Sequence, residues 1–321
     1  MKRNINTVLI LLSILLFFVI LLLISHKDSK ESFSLNDNPK VCFYYSQSPK
    51  ITDSLSGGEY AILKFLKLLN ARGIKSALYS ADTQTGQVPF TNKISDETVV
   101  VYSEEIKGNP LQATKVGRWM LYNPYMRGGQ ELIDTWNKDD VLISYGNYDC
   151  GLQCDIRVDV VEFNEDKFDI KNRPETKTKK YYIIHKAMKC GWTQESLDRE
   201  VDRLKMMGFE EFRIESAEIM NEKMQDCSVM VSFDVNTYVS NIAVLCGALS
   251  IIKKSETDTR SYEDILGKRG SYGSIGIKPF DARLLEQPYN YEERLRESNQ
   301  YREYIKTANN IDEFVKRFSL E

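Results

Sequence analysis

Two spacings of hydrophobic residues alternate along this 321-residue chain. Short β-rich runs, among them Val41 to Tyr45, Ser76 to Tyr79, Val99 to Tyr102, Val141 to Tyr145, Tyr181 to Ile184 and Phe212 to Ile214, predict strands. Between them the apolar positions fall three and four apart. After Gly57-Gly58, residues Ile62, Phe65, Leu66 and Leu69 share one helical face, and Gly73 supplies a left-handed stop. Further helices are expected over Thr193 to Met207, from Glu218, and as one or two charged helices over Tyr291 to Phe318. Strands alternating with helices imply parallel sheets covered on both faces.

The pattern changes most abruptly in Ser228 to Ile252. An apolar strand, Val229 to Phe233, ends at Asp234; a helix follows through Val239, Ile242, Ala243 and Cys246; Gly247 closes it and Leu249 to Ile252 begins a buried strand. Asn236 or Thr237 is placed to cap this helix. A helix N-terminus at the end of a parallel strand carries free N–H groups that suit a diphosphate. An ordinary strand–helix–strand unit with a well-capped helix has the same pattern.

One segment departs from globular composition. Ile5 to Ile24 is almost wholly Leu, Ile, Val and Phe, about 30 Å of helix, enough to span a bilayer. It exceeds a signal-peptide core and Ile24-Ser25-His26 offers no small-x-small cleavage site, so an uncleaved anchor with a cytoplasmic N-terminus is expected. The expected organisation is then a tip and anchor over 1–27, a polar stalk over 28–39, a first Rossmann-like domain over 40–170, a linker over 171–180, a second Rossmann-like domain over 181–290 and C-terminal helices over 291–321. The linker follows from the highly charged, Pro174-containing stretch that starts near Asn164.

Net charge is −3, so no global basic field exists to recruit nucleic acid, and a nucleic-acid partner is not expected. Cys150 and Cys154 are close enough in sequence to bridge across a loop, whereas Cys190, Cys227 and Cys246 lie in settings where cysteine is a small buried hydrophobe. With two histidines and no second ligand pair, a zinc site is not expected. There is no P-loop, no Gly-x-Ser-x-Gly elbow, no His-Glu-x-x-His and no Asp-x-Asp, and those chemistries have no support.

Ser232-Phe233-Asp234 with Thr237, then Ala243, Leu245, Cys246 and Gly247, resemble the donor-domain signature of a poorly characterised group of GT-B-type glycosyltransferases. Val100-Val101-Tyr102, Glu104, Gly108-Asn109-Pro110-Leu111 and Arg118-Trp119 with Leu121 resemble the N-terminal-domain block of the same group, in the expected order, and Gly57-Gly58 and Tyr272 to Gly276 extend the likeness over most of the chain after residue 40. The resemblance implies two Rossmann-like domains facing a cleft, and transfer of a sugar, of the hexosyl type, from a nucleotide sugar to an acceptor hydroxyl on a glycan, lipid or protein, without a metal cofactor. Val235-Asn236 stand where the group tends to have Pro-Tyr, and Ala248 replaces a second cysteine. A catalytically degenerate binding or assembly module is therefore the second reading.

Candidate roles follow strand ends, where parallel sheets present ligand-facing side chains. Glu104, just past the strand Val99 to Tyr102, is the expected general base, against the alternative of a solvated loop acid. His185, Lys186 and Lys189, after the first strand of the second domain, are expected to offset charge on a departing diphosphate. Asp234, Asn236 and Thr237, with Tyr272 and Gly273, are expected donor contacts. Gly57, Gly58, Asn109 and Arg118, the last on an expected helix, are expected to line the acceptor side or cleft. No metal ligands are assigned.

Overall fold

The computed structural model describes residues 38–44, 57–79, 89–146, 150–160, 168–235, 237–267 and 275–321. Ile5 to Ile24, Asn236, Tyr272 and Gly273 lie outside them. Among the described residues no helix is long and apolar enough to cross a membrane.

Every paired strand is parallel, and the strands form two sheets within one compact unit, Pro39–Glu321. The first contains β1 (Val41–Tyr44), β2 (Ser76–Tyr79), β3 (Phe90–Thr91), β4 (Val99–Ser103), β5 (Lys115–Met120), β6 (Val141–Tyr145) and β7 (Ile156–Val158), in the order β3-β2-β1-β4-β5-β6-β7. The second contains β8 (Lys179–Ile183), β9 (Phe209–Glu211), β10 (Cys227–Ser232), β11 (Leu249–Ile252) and β12 (Ile277–Pro279), in the order β12-β11-β10-β8-β9. The two Rossmann-like parallel sheets implied by the strand–helix alternation are thus present.

The helices are α1 (Gly57–Ala71), α2 (Gly129–Ile133), α3 (Gln194–Met206), α4 (Ala217–Gln225), α5 (Val239–Leu245), α6 (Tyr262–Gly267), α7 (Tyr291–Ala308) and α8 (Asp312–Arg317). The apolar stripe of α1, Ala61, Ile62, Phe65, Leu66 and Leu69, is buried with Val41, Phe43, Val99 and Val101 on one face of the first sheet. Phe65 meets Phe43, Trp119 and Phe314 edge-on at 5.1, 5.1 and 4.8 Å. Truncating such a ring costs about 3–5 kcal/mol. Because Phe314 belongs to α8, this contact seats the last helix of the chain on the first sheet. The second sheet is covered on one side by α3, through Leu197, Val201 and Leu204, and on the other by residues of α4, α5 and α7.

The N-cap of α5 is Tyr238, which makes no side-chain cap bond, and not the expected Thr237, whereas the caps elsewhere follow residue type. Thr193 and Ser196 form a capping box at α3, Ser216 caps α4, Asn290 caps α7, and Gly247 follows α5 at φ 78°. Two expected elements need correction. Arg118 lies on a strand, β5, paired with β4 and β6, not on a helix. The strand expected over Phe212 to Ile214 is β9, three residues earlier, where Phe209 and Phe212 turn inward to the two opposite faces of the second sheet.

Candidate functional site

Strand order locates the ligand-binding end of each sheet. Read from β3, the first six strands of the first sheet follow the order 3-2-1-4-5-6, whose connections reverse direction between β1 and β4. Read from β9, the second sheet has the order 2-1-3-4-5, reversing between β8 and β10. A crevice opens beyond the carboxyl ends of the strands at such a reversal. Glu104 follows β4, His185 and Lys186 follow β8, and Asp234 follows β10. The expected base and the expected donor residues therefore stand at the two switch points.

Glu104 is not a solvated loop acid. It is 2% exposed; the Leu121 N–H donates to Oε2 at 3.1 Å, and Arg127 Nε lies 3.5 Å from Oε1. Burial pushes its carboxyl up to about 7, with Arg127 and the Leu121 N–H acting in the opposite direction. A carboxylate that gains and loses its proton near neutrality suits general-base work. The adjacent Glu105 is exposed.

The Arg127 guanidinium lies 5.4 Å from the centre of the Tyr122 ring, and Lys186 Nζ lies 5.3 Å from the same ring. Tyr122 belongs to the first sheet's loops and Lys186 to the second's, so this ring joins the two switch points. The charges of Asp234 and Arg260 also act on Tyr122. Arg260 is held by Asp258 through two bonds, at 2.9 and 2.7 Å. On the donor side Lys189 and His185 are exposed and Lys186 half-buried. Desolvation, then Lys186, pushes the His185 imidazole below its usual range, so at neutral pH it serves as a neutral hydrogen-bonding group rather than a charge.

Asp234 is fully buried at the turn after β10, and Cys190 Sγ donates to its Oδ1 at 3.7 Å. Ser232 locks this turn: its hydroxyl donates to the Asp234 carbonyl at 2.7 Å and accepts from the Asp234 N–H at 3.1 Å. Thr237 Oγ1 accepts from the Val239 N–H at 3.3 Å, in the first turn of α5. Gly57, at the start of α1, faces Tyr238: a Cβ there would sit 3.5 Å from the tyrosine Cβ. That places the glycine beside the donor-side loop, and Gly58 is the second residue of α1.

Arg118 and Asn109 are both held in the framework of the first switch point. Arg118 is fully buried, its Nε 2.8 Å from Asp140, its other nitrogens donating to the carbonyls of Ile106 (3.1 Å) and Gly108, and its plane lying against Tyr102 and Trp136 at 4.8 and 5.3 Å. Asn109 accepts from the Tyr102 hydroxyl and the Ala113 N–H and donates to the Ala113 carbonyl. Arg118 is buried beneath the 104–114 loop and fastens it to the sheet, and the exposed Asn109 braces the same loop through Tyr102 and Ala113. Tyr122, Arg127, Cys190 and Arg260 were not singled out from the sequence. Among the described residues no group of three or more His, Cys, Asp or Glu side chains is arranged to hold a metal ion.

No protein-family model matches the chain, and no curated protein matches it. Among solved structures it is similar to AviGT4, a glycosyltransferase involved in avilamycin A biosynthesis, at 11% identity and TM-score 0.48 over 88% of this chain and 97% of that one. It is also similar to an α-glucosyltransferase solved with UDP and a 13-mer DNA, at 10% identity and TM-score 0.45 over 88% and 99%. Identity at this level does not say which residues act.

Proposed function

We propose that this protein is a membrane-anchored glycosyltransferase that moves a sugar from a nucleotide-sugar donor to an acceptor hydroxyl without a metal. The observation that supports this reading is the pairing of unlike switch points: a buried carboxylate, pushed up to about 7, is paired with Arg127, and Arg127 and the basic-loop Lys186 both lie against the Tyr122 ring.

In an inverting transfer, the acceptor hydroxyl gives its proton to Glu104 as its oxygen attacks the anomeric carbon. The bond from that carbon to the diphosphate oxygen breaks with the electron pair leaving on the diphosphate. Lys186 and Lys189, with Arg260 nearby, take up the developing negative charge, and neutral His185 can donate a hydrogen bond to a phosphoryl oxygen. Leu121 N–H and Arg127 keep the Glu104 carboxylate oriented. The Ile5 to Ile24 segment supplies the anchor, with the N-terminus cytoplasmic.

The test is a thermal-shift screen of the detergent-solubilised full chain against UDP, GDP, CMP and their sugars, with and without chelator. At 100 times its dissociation constant a ligand adds about 2.7 kcal/mol of stability. Stabilisation by one nucleotide that survives chelation, followed by transfer that Glu104→Gln abolishes, is the expected result. A nucleotide that binds with no transfer in any acceptor mixture, and a Glu104→Gln protein that keeps its biological role, would instead match the degenerate binding module suggested by Val235, Asn236 and Ala248.

A further inference from the structure

After β6 the chain leaves the carboxyl end of the first sheet, the end at which Glu104 stands, and returns as β7 to pair with β6 in parallel. A parallel connection usually takes about a dozen residues or more, with a helix; Gly146 to Asp155 makes this one. Its two ends are fastened to the sheet. The Gly146 N–H donates to the Val158 carbonyl at 2.9 Å, and the Asp155 carboxylate accepts from the Leu142 N–H at 2.7 Å. Between these ends Cys150 is buried and Cys154 half-buried, and their sulfurs lie 3.6 Å apart. Gly151, at φ 79°, curls the segment so that both thiols approach the Leu152 carbonyl, at 3.6 and 3.9 Å.

Two ordinary roles fit this pair poorly. Cys42, Cys227 and Cys246 are buried in the sheet cores, where cysteine is a small hydrophobe, whereas Cys154 is half-exposed on a loop. A metal would need further ligands, and among the described residues no third His, Cys, Asp or Glu joins the two thiols. The loop also touches the candidate site. Gly151 packs against the turn Pro124–Met126: a Cβ on it would sit 3.2 Å from Asn123 Nδ2 and 3.4 Å from Tyr125 Cδ2. Asn123 caps that turn by accepting from the Tyr125 N–H at 2.9 Å, and the residue that follows the turn is Arg127, 3.5 Å from Glu104.

We propose that Cys150 and Cys154 form a disulfide that closes this loop and holds the Asn123 to Arg127 turn beside Glu104. The sulfurs need to approach by only about 1.5 Å to reach bonding distance. The co-reactant is an external disulfide such as oxidised glutathione. Cys154, the more accessible thiol, gives up its proton and attacks one glutathione sulfur, releasing one glutathione and leaving a mixed disulfide. Cys150 then gives up its proton and attacks the Cys154 sulfur, releasing the second glutathione. Two protein S–H bonds are lost, one S–S bond forms, and two electrons and two protons leave with two reduced glutathiones. The hydrogen bond with Cys150, then burial, hold the Cys154 thiol above its usual range, so it departs slowly as a leaving group and the finished bond resists reduction. The proposed topology, with a cytoplasmic N-terminus before Ile5 to Ile24, would put the loop on the side of the bilayer where disulfides persist.

The experiment equilibrates the detergent-solubilised full chain with equal amounts of oxidised and reduced glutathione, or with a phosphine reductant, quenches by alkylation under denaturing conditions and maps the peptides by mass spectrometry. The glutathione sample should contain a Cys150–Cys154 link, with Cys42, Cys190, Cys227 and Cys246 alkylated. The linked protein should melt about 2–5 °C above the reduced one, the shift expected for closing a short loop. Cys150→Ser and Cys154→Ser should melt with the reduced wild type in both buffers. Amide exchange at Met126, Arg127 and Gly128, whose N–H groups bond within the turn, should be about tenfold slower in the linked protein. Six alkylated cysteines in the glutathione sample, glutathione retained on Cys154, or a link to another partner would overturn the bond. Equal exchange of the turn in the two states would overturn its hold on Arg127. None of these readouts needs a transfer assay, so failure of the glycosyltransferase reading leaves them intact.

Discussion

The two switch points are built from the same backbone device and filled with opposite chemistry. At the first, a single carboxylate is withdrawn from water and two structural groups, Arg118 and Asn109, stiffen the loop beneath it. At the second, Lys186 is half-buried and Lys189 exposed after β8, and the buried acid Asp234 is engaged by Cys190. Burial tunes a proton's affinity, whereas exposure keeps cations hydrated and able to turn toward an anion. In the proposed transfer, the proton acceptor comes from one half and the charges that receive the diphosphate from the other. The site is complete only where Tyr122 brings the halves together.

If this division is real, substitutions on the two sides should fail differently. The largest effect is expected from Glu104→Gln, which should lower kcat by roughly 10²–10⁴-fold with donor affinity unchanged, read by transfer assay beside calorimetric titration of UDP. The same variant carries a stability signature. Folded Glu104 holds its proton to about 7, while the unfolded chain releases it near the ordinary value of 4.5. Between these pH values the unfolded state binds fewer protons, so wild-type stability should fall as pH rises across the window, by on the order of 3 kcal/mol, and level off above it. Denaturant titrations from pH 4 to 8 should show that contribution absent in Glu104→Gln, leaving the variant the more stable protein at pH 8.

Next in size is Arg118→Met, which strands Asp140 in the interior and should cost about 3–5 kcal/mol of folding stability. Its chemical denaturation midpoint should drop, while UDP affinity of the remaining folded protein is kept. Lys186→Ala should weaken donor binding by roughly 10–100-fold, corresponding to about 1.5–3 kcal/mol for a charge-assisted bond, without moving the pH profile of transfer. The smallest effect belongs to Arg127→Gln. Removing a cation 3.5 Å from Glu104, itself partly in water, should shift the acidic limb of kcat/KM to higher pH by about one unit or less. If Lys186→Ala moved that limb more than Arg127→Gln does, the two sides would not be separable.

Much of the scaffold was legible because local rules and long-range packing agree. The α1 stripe, the helix expected over Thr193 to Met207, Gly247 and the Ser228 to Ile252 unit all appear where their residues place them. Glu104, Lys186 and Asp234 were legible as candidates for one reason, that each follows a strand recognisable from its own composition. Arg118 was misread because Lys-Val-Gly-Arg-Trp-Met has no clear period, and because its partners, Asp140 and two loop carbonyls, are set by tertiary packing. Strands β7 and β12 are three residues each, too short to carry an alternation. Tyr122 and Arg127 were invisible for another reason. Their significance lies in facing Lys186, some sixty residues away, and only the packing of one sheet's loops on the other's creates that relation.

The chain passes between the sheets twice, once after β7 and once between α7 and α8. At that place Asp159 and Asn310 pair antiparallel, each N–H donating to the other's carbonyl, at 2.9 and 2.7 Å. Two crossings fastened to each other at one point restrict sliding of one half against the other more than either crossing would alone. The Tyr122–Lys186 contact is a second point at which the halves meet. Lengthening the chain between Ala308 and Asp312 by two glycines should therefore break the Asp159–Asn310 pairing and slow the proposed transfer although no side chain of the candidate site is changed.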